Sequence, residues 1–234
     1  ADPLGPENKL IFAPGVLAGL PVSGASRGAV GAKSPLTGAF GAGEFGGNFP
    51  AQFKRAGFDA LIVEGKSEKP VYLWLTDGKA EIRDASHLWG KTTKETQTQL
   101  REEHGKRVEA ALIGPGGENL ARIACVMSGL KDAAGRTGMG AVMGSKGLKA
   151  VAVLGNINVE AADPDAVREV ARVMGKAIRE GERAASLSKW GTGVGLDGGA
   201  ASGNLPIRNF RDGELAGAKG LGAEVYMEMI RKVI

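Results

Sequence analysis

The fold is decided by a segment that occurs twice, as KLIFAPG at residues 9–15 and as AALIGPG at residues 110–116. In each copy an apolar run ends at a Pro-Gly pair, which is typical of a buried strand that stops at a tight turn. Each copy then leads to a second apolar run bounded by glycines, GFDALIVEG at 57–65 and GLKAVAVLG at 147–155. We interpret the two copies as a duplication, although short glycine-rich segments also align by accident.

The remaining patterns predict an α+β fold, in which a duplicated two-sheet domain with pseudo-two-fold symmetry occupies residues 1–160. The candidate strands are Leu10–Phe12, Leu61–Val63, Val71–Leu75, Ala80–Ile82, Ala110–Ile113 and Ala150–Leu154. Thr76–Lys79 predicts a hairpin turn, and helices are predicted at Pro50–Ala56, Lys94–His104 and Gly140–Lys146.

Residues 161–234 are expected to begin a second, mainly helical domain that is truncated. A helix is predicted over residues 163–183, because Asp163 is a good N-cap and Pro164 suits a first helical turn. Apolar residues then recur at spacings of three and four, at Val167, Val170, Met174 and Ile178. Ser186–Gly203 predicts a glycine-rich loop, and Leu215–Ile234 is expected to end in another helix.

The composition excludes several classes of protein. The net charge of +4 comes from scattered basic residues, which argues against nucleic-acid binding. No apolar run approaches the roughly 20 residues of a membrane span, and cytoplasm is the default location. Cys125 is the only cysteine, so this chain alone cannot hold an iron–sulfur cluster, and Met139 and Met143 are expected in the core.

The 38 glycines and two flanked arginines indicate an anion site. Arg27 follows Ser26 and precedes a glycine, and Arg136 lies between Gly135 and Gly138. Glycine-rich backbone N–H groups and a guanidinium together suit phosphate, so we treat the two arginines as corresponding residues of the two copies. The chain lacks a complete phosphate loop, dinucleotide fingerprint or serine nucleophile motif. Generic phosphate binding stays open, as do surface roles for the arginines and turn or packing roles for the glycines.

Several blocks of sequence, in order and at matching spacing, resemble the aldehyde ferredoxin oxidoreductase family of tungsten-pterin enzymes, specifically the N-terminal domain. They are KSPLTG at 33–38, GFDALIVEGK at 57–66, RDASHLWG at 83–90, IGPGGENL at 113–120 and AAGRTGMGAVMGSK at 133–146. Weaker similarity continues at Lys189–Thr192 and at Asn209–Phe210, so the resemblance extends over nearly the whole chain. Each block alone is much less specific than the set.

The resemblance implies a tungsten, or less often a molybdenum, held by two pterins whose phosphates are bridged by magnesium. It implies that Arg27 contacts a phosphate and that the loop of Glu44, Phe45, Gly46 and Gly47 lies under the cofactor. The resemblance implies that the backbone carbonyls of Glu44 and Ala133 are magnesium ligands. It also implies that Arg136 and Gly138 contact the cofactor. We expect a positive φ angle at Gly46.

Two residues depart from the family pattern. Glu44 stands where the family has an asparagine; a backbone ligand tolerates that change, but a carboxylate near phosphates is unfavourable. Asp132 stands where a family arginine binds phosphate, so Lys131 or Arg136 has to compensate. Both departures concern the charge of the implied phosphate site.

For the full-length enzyme, the resemblance implies oxidation of aldehydes to carboxylic acids, with electrons passing through a [4Fe-4S] cluster to ferredoxin. The cluster ligands lie outside this chain, so the chain alone is expected to be inactive. Its expected partners are ferredoxin, the remaining domains of the enzyme and, as one assembly, a second copy. Alternatives are a non-catalytic scaffold and a subunit of a related low-potential reductase that dearomatises aryl thioesters. The substrate, the metal and the oligomeric state stay open.

Overall fold

The computed structural model describes residues 1–233, and their side chains up to Ile230. The chain divides into two compact units, residues 1–169 and residues 170 onward. The boundary lies inside helix α5 (Pro164–Glu180), whereas the predicted domain division, which stays a prediction, lies just before that helix. No helix within residues 1–233 is both long and apolar enough to cross a membrane.

The first sheet is built from the first copy of the repeat. Its elements are β1 (Leu10–Pro14), β2 (Gly28–Lys33), β3 (Phe40–Phe45), helix α1 (Phe49–Arg55) and β4 (Leu61–Val63). The strands are all antiparallel and lie in the order β3-β2-β1-β4.

The second sheet contains the same arrangement. Its elements are β7 (Glu109–Leu112), the short helix α3 (Pro115–Glu118), β8 (Val126–Ser128), β9 (Asp132–Ala134), helix α4 (Met139–Ser145) and β10 (Leu148–Leu154). These strands are antiparallel in the order β9-β8-β7-β10, which repeats the order of the first sheet. The strand order therefore confirms the duplicated α+β fold.

An insertion between the copies extends the second sheet. It comprises β5 (Val71–Thr76), β6 (Lys79–Asp84) and helix α2 (Thr93–His104), and β5 pairs with β10 in parallel. The predicted hairpin turn is confirmed, because Asp77 and Gly78 both have positive φ angles and join the paired β5 and β6. A reciprocal capping box of Thr92 and Glu95 fixes the start of α2.

The repeat does not extend to the two arginines. Arg27 immediately precedes β2, the second strand of its copy, whereas Arg136 follows β9, the third strand of its copy. The predicted correspondence between them is therefore wrong. A short arginine–glycine pattern carries no information about strand pairing, and pairing is what defines the equivalent positions of the repeat.

The larger core of the first unit includes inward-facing residues of both sheets and of α1 and α4. Phe12, Phe45 and Phe49 belong to it, as do Met139 and Met143, so the core assignment of both methionines is confirmed. Cys125 is half-buried, with its Sγ 3.8 Å from the Met127 sulfur. A smaller core includes Leu100 of α2 and Leu112 of β7.

The second unit is helical, as predicted, but the predicted glycine-rich loop Ser186–Gly203 is wrong. That segment forms α6 (Glu182–Trp190), a 3₁₀ segment (Gly191–Gly195) and α7 (Leu196–Ala201). A Cβ at Gly193 would lie 2.6 Å from the Tyr226 ring, so this glycine permits close packing rather than a loop. A further 3₁₀ segment (Ala218–Leu221) and α8 (Ala223–Val233) follow, which confirms the last predicted helix within the described residues.

Candidate functional site

The free edges of the two sheets lie against each other. Strand β3 ends the first sheet and β9 ends the second. A Cβ added to Gly43 would lie 2.9 Å from the Cβ of Ala134, closer than packed carbon atoms normally approach. Glycine in β3 is therefore what permits this contact, although it weakens the strand itself.

The pairing register directs the peptide groups of Glu44 away from its own sheet. Hydrogen-bonded and non-bonded pairs alternate along an antiparallel ladder. Ser34 N donates to Ala39 O (2.8 Å), so alternation makes the Ala29–Glu44 pair a non-bonded one. The N–H and C=O of Glu44 consequently point to the free edge of β3.

The same argument applies to Ala133 in the second sheet. Gly129 N donates to Ala110 O (2.8 Å), so alternation turns the peptide groups of Met127 toward β7. Met127 is the partner of Ala133, and their pair is therefore a non-bonded one. The carbonyl of Ala133 points to the free edge of β9, just as that of Glu44 does in β3.

These two positions line one pocket. The pocket has a volume of about 560 Å³ and is bounded by six residues, Ala42, Gly43, Glu44, Ala133, Gly135 and Arg136. A Cβ added to Gly135 would have no atom within 4 Å, so this wall is open. Arg136 is exposed, and within the described residues its guanidinium has no ion-pair partner. Two backbone acceptors and one unpaired cation thus share a single cavity.

A smaller pocket of about 210 Å³ adjoins Glu44 and is also lined by Arg27. Arg27 Nη2 lies 3.8 Å from Glu44 Oε2, and both side chains are mostly exposed. An exposed ion pair of this length contributes little to stability. Because Glu44 lines both pockets, the predicted arginines Arg27 and Arg136 border neighbouring parts of one region.

The glycine loop after β3 is held by one serine from each copy of the repeat. Ser128 Oγ donates a buried hydrogen bond of 2.8 Å to the carbonyl of Gly46, and Ser26 Oγ donates a partly buried one of 2.5 Å to that of Gly47. The expected positive φ angle at Gly46 is wrong; Gly47 has it instead, at 78°. A Cβ at Gly46 would lie 3.0 Å from Asp132 Oδ1, so a larger residue there is opposed by crowding against that carboxylate and not by the backbone conformation.

Four predicted site residues line neither pocket: the loop glycines Gly46 and Gly47, and also Phe45 and Gly138. The side chain of Phe45 lies in the core, where it packs edge-on against Phe49 at 5.6 Å. Gly138 is buried at the start of α4 with φ 74°, and a Cβ there would lie 2.0 Å from the Arg122 carbonyl oxygen. Their predicted contacts with a cofactor stay predictions, and their observed role is to shape the loops.

Sequence reasoning did not single out Ser26, Ser128 or Ala42 as site residues. Both serines act on loops far from them in the chain, and no local motif reveals such contacts. Ala42 is visible only through the register of β3, where it alternates with buried glycines. Within residues 1–233, no group of three or more His, Cys, Asp or Glu side chains is arranged to hold a metal ion.

The comparisons with known proteins agree on one family. The family model described as the N-terminal domain of aldehyde ferredoxin oxidoreductase matches residues 1–155. Tungsten-containing aldehyde ferredoxin oxidoreductases of Pyrococcus furiosus and Thermococcus kodakarensis are each 47% identical over 91% of this chain, which spans 35% and 36% of their lengths. The WOR-like subunit of an aliphatic sulfonate oxidoreductase of Pyrococcus furiosus is 36% identical over 90% of the chain.

Among solved structures, the active-site complex BamBC of benzoyl coenzyme A reductase, in complex with 1,5-dienoyl-CoA, is similar to this chain with a TM-score of 0.75. It is 40% identical and covers 78% of this chain, which corresponds to 28% of that chain. The structural and sequence comparisons agree on the domain that carries the two edge strands. The chain therefore belongs to the aldehyde ferredoxin oxidoreductase family, and its residues 1–155 match the family's N-terminal domain.

Proposed function

We propose that the paired edge strands bind a tungsten bis-pterin cofactor through its magnesium-bridged phosphates. The observation that carries the proposal is the equivalent orientation of Glu44 and Ala133, whose carbonyls face the free edges of two sheets and which line one pocket together. In this proposal both carbonyl oxygens coordinate the magnesium. Arg27 and Arg136 bind the phosphates, and Gly46 and Gly47 form the surface under the pterin.

The residues present fit such a group. Backbone carbonyls are oxygen ligands, which Mg²⁺ prefers, and guanidinium groups match the geometry of phosphate oxygens. Ala42, Gly43 and Gly135 keep the pocket free of bulky side chains. When bound, the tungsten centre supplies the redox chemistry, while the residues of this chain hold and orient it.

For the whole protein, we propose oxidation of aldehydes to carboxylic acids in the cytoplasm, with ferredoxin as the electron acceptor. Names of the relatives support this activity, and this chain spans about a third of their length, 35% for the Pyrococcus furiosus enzyme. The ligands of a [4Fe-4S] cluster and the reacting groups belong, in this proposal, to the remainder of the protein. A homodimer is the oligomer we propose to test first.

A second candidate activity is the reduction of an aryl thioester. The similarity to the benzoyl coenzyme A reductase complex, at 40% identity, favours it. Assays of one full-length preparation with aldehydes and with aryl thioesters separate the two activities. A preparation that contains the cofactor but turns over neither class would favour a non-catalytic scaffold.

The cofactor proposal is tested by elemental and pterin analysis of the purified full-length protein. We expect tungsten or molybdenum together with two pterins and magnesium per chain. Protein that is folded and produced with ample tungsten, yet contains neither metal nor pterin, would contradict the proposal.

A further inference from the structure

Two carboxylates border the phosphate-binding residue Arg27 from opposite copies of the repeat. Glu44 Oε2 lies 3.8 Å from Arg27 Nη2. A Cβ added to Gly46 would lie 3.0 Å from Asp132 Oδ1 and 3.6 Å from Arg27 Nη1, so the second carboxylate and the guanidinium share the surface of Gly46. Arg27 therefore already has anionic neighbours before any ligand binds.

The formal charges around the region cancel. Arg27 and Arg136 contribute two positive charges, and Glu44 and Asp132 contribute two negative ones. These four side chains, which line the two pockets or border Gly46, give a free phosphate no net attraction, and the phosphate would have to compete with Glu44 for Arg27. A phosphate that carries a divalent cation is different, because the cation is attracted by the same carboxylates that repel the bare anion.

The coordination chemistry of magnesium indicates which form of phosphate this arrangement favours. Mg²⁺ in proteins is commonly bound through one or two carboxylates together with ligand phosphates, and it keeps several of its waters. Glu44 is well placed for that role because it lines the pocket of the two outward carbonyls and also contacts Arg27. Its carboxylate is exposed, and among the described side chains its one ion pair is the weak contact with Arg27, so it is available to a hydrated cation.

We propose that Glu44, assisted by Asp132, makes this site selective for magnesium-complexed phosphate over free phosphate. The inference rests on the proposed phosphate site, which it deepens by naming the form of ligand that enters. Magnesium and phosphate then bind as one unit: the cation occupies the carboxylates and carbonyls, and the phosphate takes over Arg27.

The test is calorimetric titration of inorganic pyrophosphate into full-length protein produced without tungsten and pterin. With magnesium present, wild type is expected to bind at least about tenfold more tightly than in EDTA. Glu44→Gln is expected to reduce the magnesium effect to less than about threefold by strengthening the binding of free pyrophosphate. Asp132→Asn should act in the same direction but less strongly, because it does not line the pocket of the carbonyls.

Glu64→Gln is the matched control, since Glu64 is also an exposed glutamate just after an edge strand and pairs with Lys9 at 2.9 Å. It should leave the magnesium effect unchanged. Equal magnesium effects in wild type and Glu44→Gln would overturn the selectivity proposal while leaving the phosphate site intact. No pyrophosphate binding in either condition would instead count against the phosphate site itself.

Discussion

Glu44 of β3 and Ala133 of β9 occupy equivalent positions in the two copies of the repeat. Each is the non-bonded partner of a residue in the second strand of its copy, Ala29 for Glu44 and Met127 for Ala133. As a result, both carbonyls point to the free edge of their sheet, and the two residues line one pocket. A duplicated fold thus provides two matched outward-facing carbonyls even though the side chains around them differ.

Substitutions in the glycine loop should separate steric from conformational requirements. Gly46→Ala is expected to destabilise the protein because its methyl group meets Asp132, and removing that carboxylate in Gly46→Ala/Asp132→Ala should restore stability. Gly47→Ala should remain destabilised by about 1–2 kcal/mol even without Asp132, because φ of 78° is unfavourable for alanine. Denaturant unfolding of the full-length protein measures both. Equal rescue at the two positions would contradict the assignment.

Two glycines near Arg136 should behave in opposite ways. Gly138→Ala places a methyl group on the Arg122 carbonyl and is expected to cost more than about 2 kcal/mol of folding stability. Gly135→Ala meets no atom and should change stability by less than about 0.5 kcal/mol, yet lower the tungsten content because it narrows the pocket. Thermal unfolding and metal analysis of both variants test this contrast. Normal tungsten content in Gly135→Ala would show that this wall is not used.

The motif GPGGE at residues 114–118 is expected to stabilise the fold rather than bind phosphate. Glu118 forms a buried ion pair with Lys149 and accepts from Gly90 N at 2.8 Å. Lys149 also donates to the Lys91 carbonyl at 2.8 Å. Glu118→Leu should cost about 3–5 kcal/mol, because it leaves the lysine buried without its partner.

The double variant Glu118→Leu/Lys149→Met is the control for that prediction. Removing both charges avoids a buried unpaired ion, so the double variant should be more stable than Glu118→Leu alone. Chemical unfolding of the two proteins gives the comparison. A double variant that is less stable than the single one would show that the ion pair contributes through more than mutual neutralisation.

Stability should fall in mild acid because of His104. Its ring stacks on Trp74 at 4.2 Å and lies 2.9 Å from the Tyr72 hydroxyl. Burial, and then the charge of Arg83, lower the pKa of His104 below the 6.5 expected in the unfolded chain, while Glu103 opposes the shift. The unfolded state therefore binds the proton more readily, so this contribution to stability is complete above the unfolded-state pKa of 6.5 and is lost as the pH falls from there through the lower folded-state pKa.

Unfolding free energies between about pH 8 and pH 5.5 test this prediction, since histidine titrates within that range. Wild type should lose stability toward the acid end. His104→Phe keeps an aromatic ring against Trp74 and should lose less over the same interval. An unchanged pH dependence in that variant would assign the acid sensitivity to other groups.

Whether a strand can be predicted from the sequence depends on its composition and its length. β4, β7 and β10 are apolar runs bounded by turn residues, and their positions were predicted. β2, β3, β8 and β9 were not, because GAVGAK and FGAGEF are rich in glycine, which disfavours strands, and β8 and β9 are only three residues each. All four are strands because they pair with segments distant in the chain, and in β3 the glycine at 43 also lets that edge approach Ala134 of β9.

For a related reason, only part of the candidate site can be predicted from the sequence. Glu44 and Ala133 were named through family resemblance, since the direction of a peptide group depends on pairing with a distant strand. The mistaken correspondence of Arg27 with Arg136 has the same origin. Asp132 was recognised as a departure from the family, but its position against Gly46 and Gly47 required the contact between the two copies.

The central claim is tested most directly by the tungsten content of full-length Arg27→Ala/Arg136→Ala, measured beside its turnover. Each arginine should contribute about 1.5–3 kcal/mol to phosphate binding, so the double variant is expected to fold normally but to lose most of its tungsten. Arg107→Ala is the control. In the wild type the Arg107 guanidinium donates to Asn156 at 2.9 Å, outside both pockets, so the protein with this substitution should keep its tungsten. Activity per bound tungsten should fall much less than total activity. Full tungsten occupancy with lost turnover would contradict the account, because the arginines would then act in catalysis and not in holding the cofactor.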